Sequence, residues 1–253
     1  MSNPTETESA NLGYPQSVVV TDTKALDQTL AEYAALTLQE AIIQRGSASL
    51  VVSGGRTPLG FLRCLAALGD TSDTVLPWAK IRVVLADERW VAVTYRDSNE
   101  GMLRRVLPEE ALQGLVSLRG ELDEAAAQVA WVNEQLAEQA PFDLVILGMG
   151  ADGHTASLFP EAPQLISGLD LHTAAACLLV DPPAAPHQRI SLTLARLLKA
   201  QQVIVHITGE EKSQVLAKAW QARDPLLYPI SSVLRQNVTP VAVFSDRALA
   251  WRD

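Results

Sequence analysis

The stretch Leu144-Val145-Ile146-Leu147-Gly148-Met149-Gly150-Ala151-Asp152-Gly153-His154 decides the fold. It opens on four consecutive apolar residues with no polar alternation. So short an apolar run predicts a strand buried on both faces, the kind that parallel sheets contain. Three glycines in six residues then end it abruptly. Glycines at that density impose unusual backbone angles, so a shaped loop follows the strand.

Runs of the same kind recur on either side. Ser17–Val20, Ser49–Val52, Ile81–Ala86, Ala175–Val180, Val203–Ile207 and Val241–Phe244 are expected strands. Helical periods separate them. Lys24–Arg45 carries Leu26, Leu30, Ala34, Leu38 and Ile42 on one face, with Gly46 as its stop. Thr57 and Pro58 open a second helix as cap and first turn. Asp97 or Ser98 caps a third, running to about Leu107. Glu121–Gln139 reads as a long, largely exposed helix, and Leu192–Lys199, Glu211–Trp220 and Ile230–Gln236 as later ones. Buried strands alternating with helices predict a doubly wound α/β fold: a mainly parallel sheet with helices on both faces. No linker or repeat divides the chain, so residues 15–253 are expected to form a single domain. Residues 1–14 are expected to be a disordered polar tail.

Composition narrows the function. The 253 residues carry a formal net charge of −9, with 48% hydrophobic and 19% charged residues. An acidic field works against nucleic acid and anionic membrane as partners. Any anionic substrate must therefore be held by a local cluster of cations. Two cysteines, Cys64 and Cys177, do not make a disulfide framework, and a reducing, cytoplasmic compartment is the plain reading. No apolar run is long enough to span a bilayer.

In doubly wound folds ligands bind beyond the carboxyl ends of the strands, and the chemically distinctive residues fall there. Ser53-Gly54-Gly55-Arg56-Thr57-Pro58 follows the strand ending at Val52. Its hydroxyls, its glycines and the start of the next helix make an anion site; a tight turn with a Thr cap is the plainer alternative. The phosphate-loop spacing Gly-x4-Gly-Lys-Ser/Thr is absent. Asp87-Glu88-Arg89-Trp90 follows Ala86, either as part of a site or as a surface turn with an internal ion pair. Asp152 and His154 sit two residues apart in the glycine loop, as an orienting carboxylate and an imidazole base would. Arg189, after the loop Asp181–Pro186, and Lys212, after Val203–Ile207, read singly as surface charges; together, as cations beyond strand ends, they would suit a phosphate dianion. His206, inside an apolar strand, is expected to be a satisfied core residue. His187 lies close to Arg189 in sequence and is not assigned to the site.

In this order, Ser53–Pro58, Asp87–Trp90 with Asp97–Glu100, Phe142–Pro160, Arg189–Thr193 and Thr208–Lys212 resemble the 6-phosphogluconolactonase family. Gly148–Pro160 is the specific part; the other segments are weak taken singly. The resemblance implies a modified Rossmann-type sheet, related to that of glucosamine-6-phosphate deaminases. It implies hydrolysis of 6-phospho-D-glucono-1,5-lactone to 6-phosphogluconate in the pentose phosphate pathway, with no cofactor and no metal. It also implies His154 as the catalytic group, with Asp152, Asp87 and Arg89 around it. Phosphate would be held by Ser53, Gly54, Gly55, Arg56, Thr57, Arg189 and Lys212. The family often has Ser where this chain has Arg56, which leaves Arg56 either as an added phosphate contact or as an outward charge. The deaminases carry a Glu five residues after the His, and Phe159 stands there instead. A sugar-phosphate-sensing regulator would need a DNA-binding module, and none is legible. The partner is thus a small sugar-phosphate lactone, and the expected assembly a monomer or weak homo-oligomer.

Overall fold

The computed structural model describes residues 15–68, 76–137 and 140–249; the expected 1–14 tail lies outside them. The expected strands form, and seven of the described strands make one parallel sheet. In chain order the strands are β1 Gln16–Val19, β2 Ala48–Val52, β3 Ile81–Leu85, β4 Asp87–Arg89, β5 Leu115–Val116, β6 Leu144–Leu147, β7 Cys177–Val180, β8 Arg189–Leu192, β9 Val203–Ile207 and β10 Val241–Ser245. The main sheet runs β1-β10-β9-β6-β2-β3-β5, and each neighbouring pair is parallel. All residues of β6 and β9 are buried, which requires cover on both faces of the sheet. The doubly wound expectation holds.

The helices are α1 Thr23–Arg45, α2 Pro58–Leu68, α3 Asn99–Val106, α4 Glu109–Gln113, α5 Ala125–Ala137, α6 Leu165–Leu169, α7 Leu194–Leu198, α8 Glu210–Ala222 and α9 Ile230–Leu234. Their ends follow local chemistry. Asp22 caps α1 by accepting from the Ala25 amide at 2.8 Å, and Gly46 closes it in the left-handed conformation. Ser98 caps α3 through the Gly101 amide at 2.9 Å, as its position predicts. Helix α5 begins at Ala125, four residues later than expected, and buries Ala125, Gln128, Val132 and Leu136. Among the described residues no helix is long and apolar enough to cross a membrane.

Three segments depart from the sequence expectation together. Cys177–Val180 is a strand, but not of the main sheet. It pairs antiparallel with β8, which pairs antiparallel with β4. Asp87–Arg89 is therefore not a loop, and Arg189 begins a strand instead of following one. The physical reason is non-local. A three-residue strand such as β4 is stable only beside a partner, and its partner lies about a hundred residues away.

The chain passes from β2 towards β3 and β5 on one side and returns through β6 to the other. The order of the sheet thus switches between β2 and β6, the place where open α/β sheets bind ligands. The loops that leave these two strands are Ser53–Thr57 and Gly148–His154.

Candidate active site

Four neighbouring strands, β9, β6, β2 and β3, deliver the site from one edge of the sheet. Their outgoing segments line a cleft of about 180 Å³. Ser53, Gly54, Gly55, Arg56 and Thr57 come from β2, Asp87 and Arg89 from beyond β3, His154 from beyond β6, and Lys212 from α8 after β9. Nine of the predicted residues therefore converge on the cleft; Asp152 reaches it only through His154, and Arg189 is not among the lining residues.

At one end of the cleft lies a cationic cradle. Lys212 Nζ donates to Thr57 Oγ1 at 2.9 Å, across 155 residues of sequence. Burial lowers the Lys212 pKa most, the charge of Arg56 lowers it further, and Glu211 opposes both. A desolvated ammonium beside a second cation gains from a bound anion. Arg56 is exposed and lines the same cleft. The Ser53 hydroxyl accepts from the Gly148 amide at 3.2 Å. It thereby ties the cradle to the glycine loop while keeping its own proton to donate.

At the other end His154 Nδ1 lies 2.5 Å from Asp152 Oδ1, and the His154 amide donates to the same oxygen at 3.2 Å. In the neutral imidazole this contact places the proton on Nδ1 and leaves the Nε2 lone pair free. Burial alone would raise the Asp152 pKa, but the hydrogen bond and charge of His154 outweigh it and hold the carboxyl below its usual range. The ring of Phe159 lies against the imidazole, centroid to centroid at 4.2 Å. Gly150 makes this pair possible. A Cβ there would lie 2.2 Å from His154 Nδ1 and 2.6 Å from Asp152 Oδ1, and no side chain fits at such distances.

Strand β4 faces the pair. Asp87 is buried, yet it lines the cleft, and Ser157 Oγ donates to its Oδ2 at 2.6 Å. Glu88 turns inward as the alternation of a strand requires. Its carboxylate accepts from the amides of Arg89, Asn99 and Glu100 and from Ser98 Oγ, at 2.6 to 3.0 Å. Burial raises its pKa against those four bonds. It anchors the start of α3, where a helix welcomes negative charge. Arg89 lines the cleft and donates to the Asp97 carbonyl.

Arg189, expected to hold phosphate with Lys212, is not among the residues lining the cleft. The β4–β8 register pairs it directly with Arg89. There it is buried, donates to the Pro186 carbonyl at 3.0 Å, and stands 5.9 Å from the Phe159 ring centre. Burial lowers its pKa first and Arg89 adds to that, while Asp87, Glu88 and Asp97 pull it back up. It belongs to the wall behind the catalytic end.

Sequence reasoning missed Asn99 as a functional residue and saw only its neighbours as caps. Asn99 is buried, lines the cleft, and donates through Nδ2 to the Asp87 carbonyl at 2.9 Å. The signal was present in Gly54, whose Cβ would overlap Asn99 Oδ1 at 1.9 Å, but that contact links residues 45 positions apart. His187 Nε2 lies 3.3 Å from Asp97 Oδ2, and neither residue is among those lining the cleft. Among the described residues no three His, Cys, Asp or Glu side chains converge as metal ligands would.

Residues 21–242 match the model of the glucosamine-6-phosphate isomerases/6-phosphogluconolactonase family. A 6-phosphogluconolactonase of Pseudomonas putida is 41% identical over 218 residues, covering 84% of this chain and 86% of the relative. A crystal structure of a 6-phosphogluconolactonase from Shewanella baltica superposes with a TM-score of 0.84 at 38% identity, over 91% of this chain and 97% of that one. A monomeric glucosamine-6-phosphate deaminase shares the fold, with a TM-score of 0.77 at 18% identity, over 94% of this chain and 100% of that one.

Proposed function

The chain belongs to the glucosamine-6-phosphate isomerase/6-phosphogluconolactonase family, and from that membership and the geometry of its cleft we infer that it hydrolyses 6-phospho-D-glucono-1,5-lactone to 6-phosphogluconate. One observation carries the assignment of roles: a histidine clamped through Nδ1 by a carboxylate shares a cleft with a cationic cradle made by Thr57, Arg56 and Lys212. The cradle holds the phosphate. The lactone ring then extends towards His154.

His154 Nε2 takes a proton from a water molecule, and that water oxygen attacks the carbonyl carbon at C1. Asp152 keeps the proton of the neutral ring on Nδ1 and stabilises the imidazolium that forms. The carbonyl oxygen becomes an oxyanion. The amides of Gly148, Gly150 and Gly153 are already committed to Ser53 Oγ, the His154 carbonyl and the Gly150 carbonyl. Arg89 is therefore the donor for the oxyanion. His154 returns its proton to the ring oxygen as the C1–O bond breaks. A lactone is an activated ester, so no covalent intermediate is required. The same reading takes the protein as a monomer or weak homo-oligomer acting in the cytoplasm.

The test is a pH-stat assay on freshly made lactone, with glucosamine 6-phosphate as the parallel substrate. Acid release well above the spontaneous rate from the first, and no ammonia from the second, is the expected result. Ammonia release would move the chain to the deaminase branch. No acid release above background would remove the lactonase reading.

A further inference from the structure

The cleft is lined by two nearly buried polar side chains, Asp87 and Asn99, that the scheme above leaves unused. We propose that Asp87 and Asn99 form a reader of two adjacent hydroxyl groups on the sugar ring, and so determine specificity for a polyhydroxylated lactone. The inference rests on the lactone reading.

Both side chains are nearly buried, at 7% and 2% exposure, yet both line the cleft. Polar groups in such a position cost free energy unless a ligand completes their bonding. Each is held from behind. Ser157 Oγ fixes one oxygen of Asp87, and the Asp87 carbonyl fixes one amide hydrogen of Asn99. The backbone of Asn99 is itself pinned, because its amide donates to the buried carboxylate of Glu88 at 2.8 Å. One carboxylate oxygen, one amide N–H and one amide oxygen are not used by these bonds. Two acceptors and a donor on adjacent residues complement a vicinal diol, which offers two O–H donors and two acceptor oxygens.

The placement is built. Gly54 has no side chain where the Asn99 amide lies, since a Cβ there would sit 1.9 Å from Asn99 Oδ1. The amide therefore reaches between the phosphate loop and Asp87. A ring held by its phosphate and attacked at C1 in the same cleft brings its hydroxyls within the set of residues that includes Asp87 and Asn99. A site built to bond a hydroxyl strongly rejects an analogue lacking it, because the site's own groups are then left unpaired.

The test is a kcat/KM series on the parent lactone and its 2-deoxy, 3-deoxy and 4-deoxy analogues, with wild type, Asn99→Ala, Asn99→Asp and Asp87→Asn. Wild type is expected to lose about 10- to 100-fold on two neighbouring deoxy positions and under about threefold on the remaining one. Each variant is expected to lose a similar factor on the parent lactone and under about threefold more on the deoxy lactone whose hydroxyl it reads. Variant losses of equal size on all four lactones overturn the proposal. So does a wild type indifferent to every neighbouring pair of hydroxyls, a result that needs no variant to fold. A wild type inactive on the parent lactone fails the functional reading; an active wild type with flat deoxy losses fails only this inference.

Discussion

Two of the Asp–His pairs among the described residues behave in opposite ways. Asp152 and His154 meet on a glycine loop at 2.5 Å, with side chains 49% and 29% exposed. Asp27 of α1 and His206 of β9 approach to 3.6 Å, with side chains 11% and 2% exposed. In the first pair the carboxyl is held below its usual range. In the second, burial pushes the Asp27 carboxyl up to about 6, against a hydrogen bond from Phe61 and with the help of Asp246. Burial also pushes His206 down to about 4, and Lys212 adds to that while Asp246 opposes it. Asp27 Oδ1 and both His206 ring nitrogens are buried without a hydrogen-bond partner. The expectation of a satisfied core histidine is thus half right: His206 is core, but it is not satisfied. The same two residue types make a working pair where a hydrogen bond can form beside solvent, and two strained neutral-leaning groups where it cannot.

Breaking the first pair should have the largest effect. His154→Ala removes the proton carrier, and kcat is expected to fall by about 10²–10⁴-fold with KM little changed. Steady-state kinetics on fresh lactone check it, and a kcat within a fewfold of wild type would remove His154 from its role. Asp152→Asn leaves the imidazole in place but no longer fixes its tautomer or supports its charge. A loss of kcat on the order of 10–100-fold is expected, smaller than for His154→Ala. If the two variants were equally impaired, the carboxylate would be doing more than orienting the ring.

Asp27→Asn sharpens the comparison from the other side, because here removing a carboxylate should stabilise. A carboxyl whose folded pKa is raised contributes stability that is present below its unfolded pKa of about 4 and lost as pH rises through about 6. The variant is therefore expected to be more stable than wild type above pH 6, by on the order of 2 kcal/mol, with the gap closing towards pH 4. His206 has the opposite sign. Its lowered pKa supports stability above about 6.5 and loses that support as pH falls towards 4. In wild type the two trends partly cancel between pH 6 and 4. In Asp27→Asn only the histidine trend is left, so its stability should fall more steeply through that window. Urea denaturation at a series of pH values reads both effects, and parallel curves for the two proteins would refute them.

Much of this was legible in the chain alone, and the reason is range. The buried strand Leu144–Leu147, the cap at Ser98 and the stop at Gly46 are settled by residues within a few positions of each other. Asp152 and His154 are two residues apart, so their pairing needs only the loop between them. The run of apolar strands and helices was enough for a doubly wound sheet, and that placed Ser53–Thr57 and Lys212 at its carboxyl edge. Tertiary structure decided the rest. Arg189 came to stand in a strand opposite Arg89 because β8 pairs antiparallel with β4. Asp87 was oriented by Ser157 from 70 residues away, and Asn99 became part of the cleft only because Gly54 makes room for it. His206 was left without a hydrogen bond by what packs around it. Periodicity and turn chemistry act between near neighbours, whereas register, burial and hydrogen-bond partners across the sheet exist only after the chain has closed on itself.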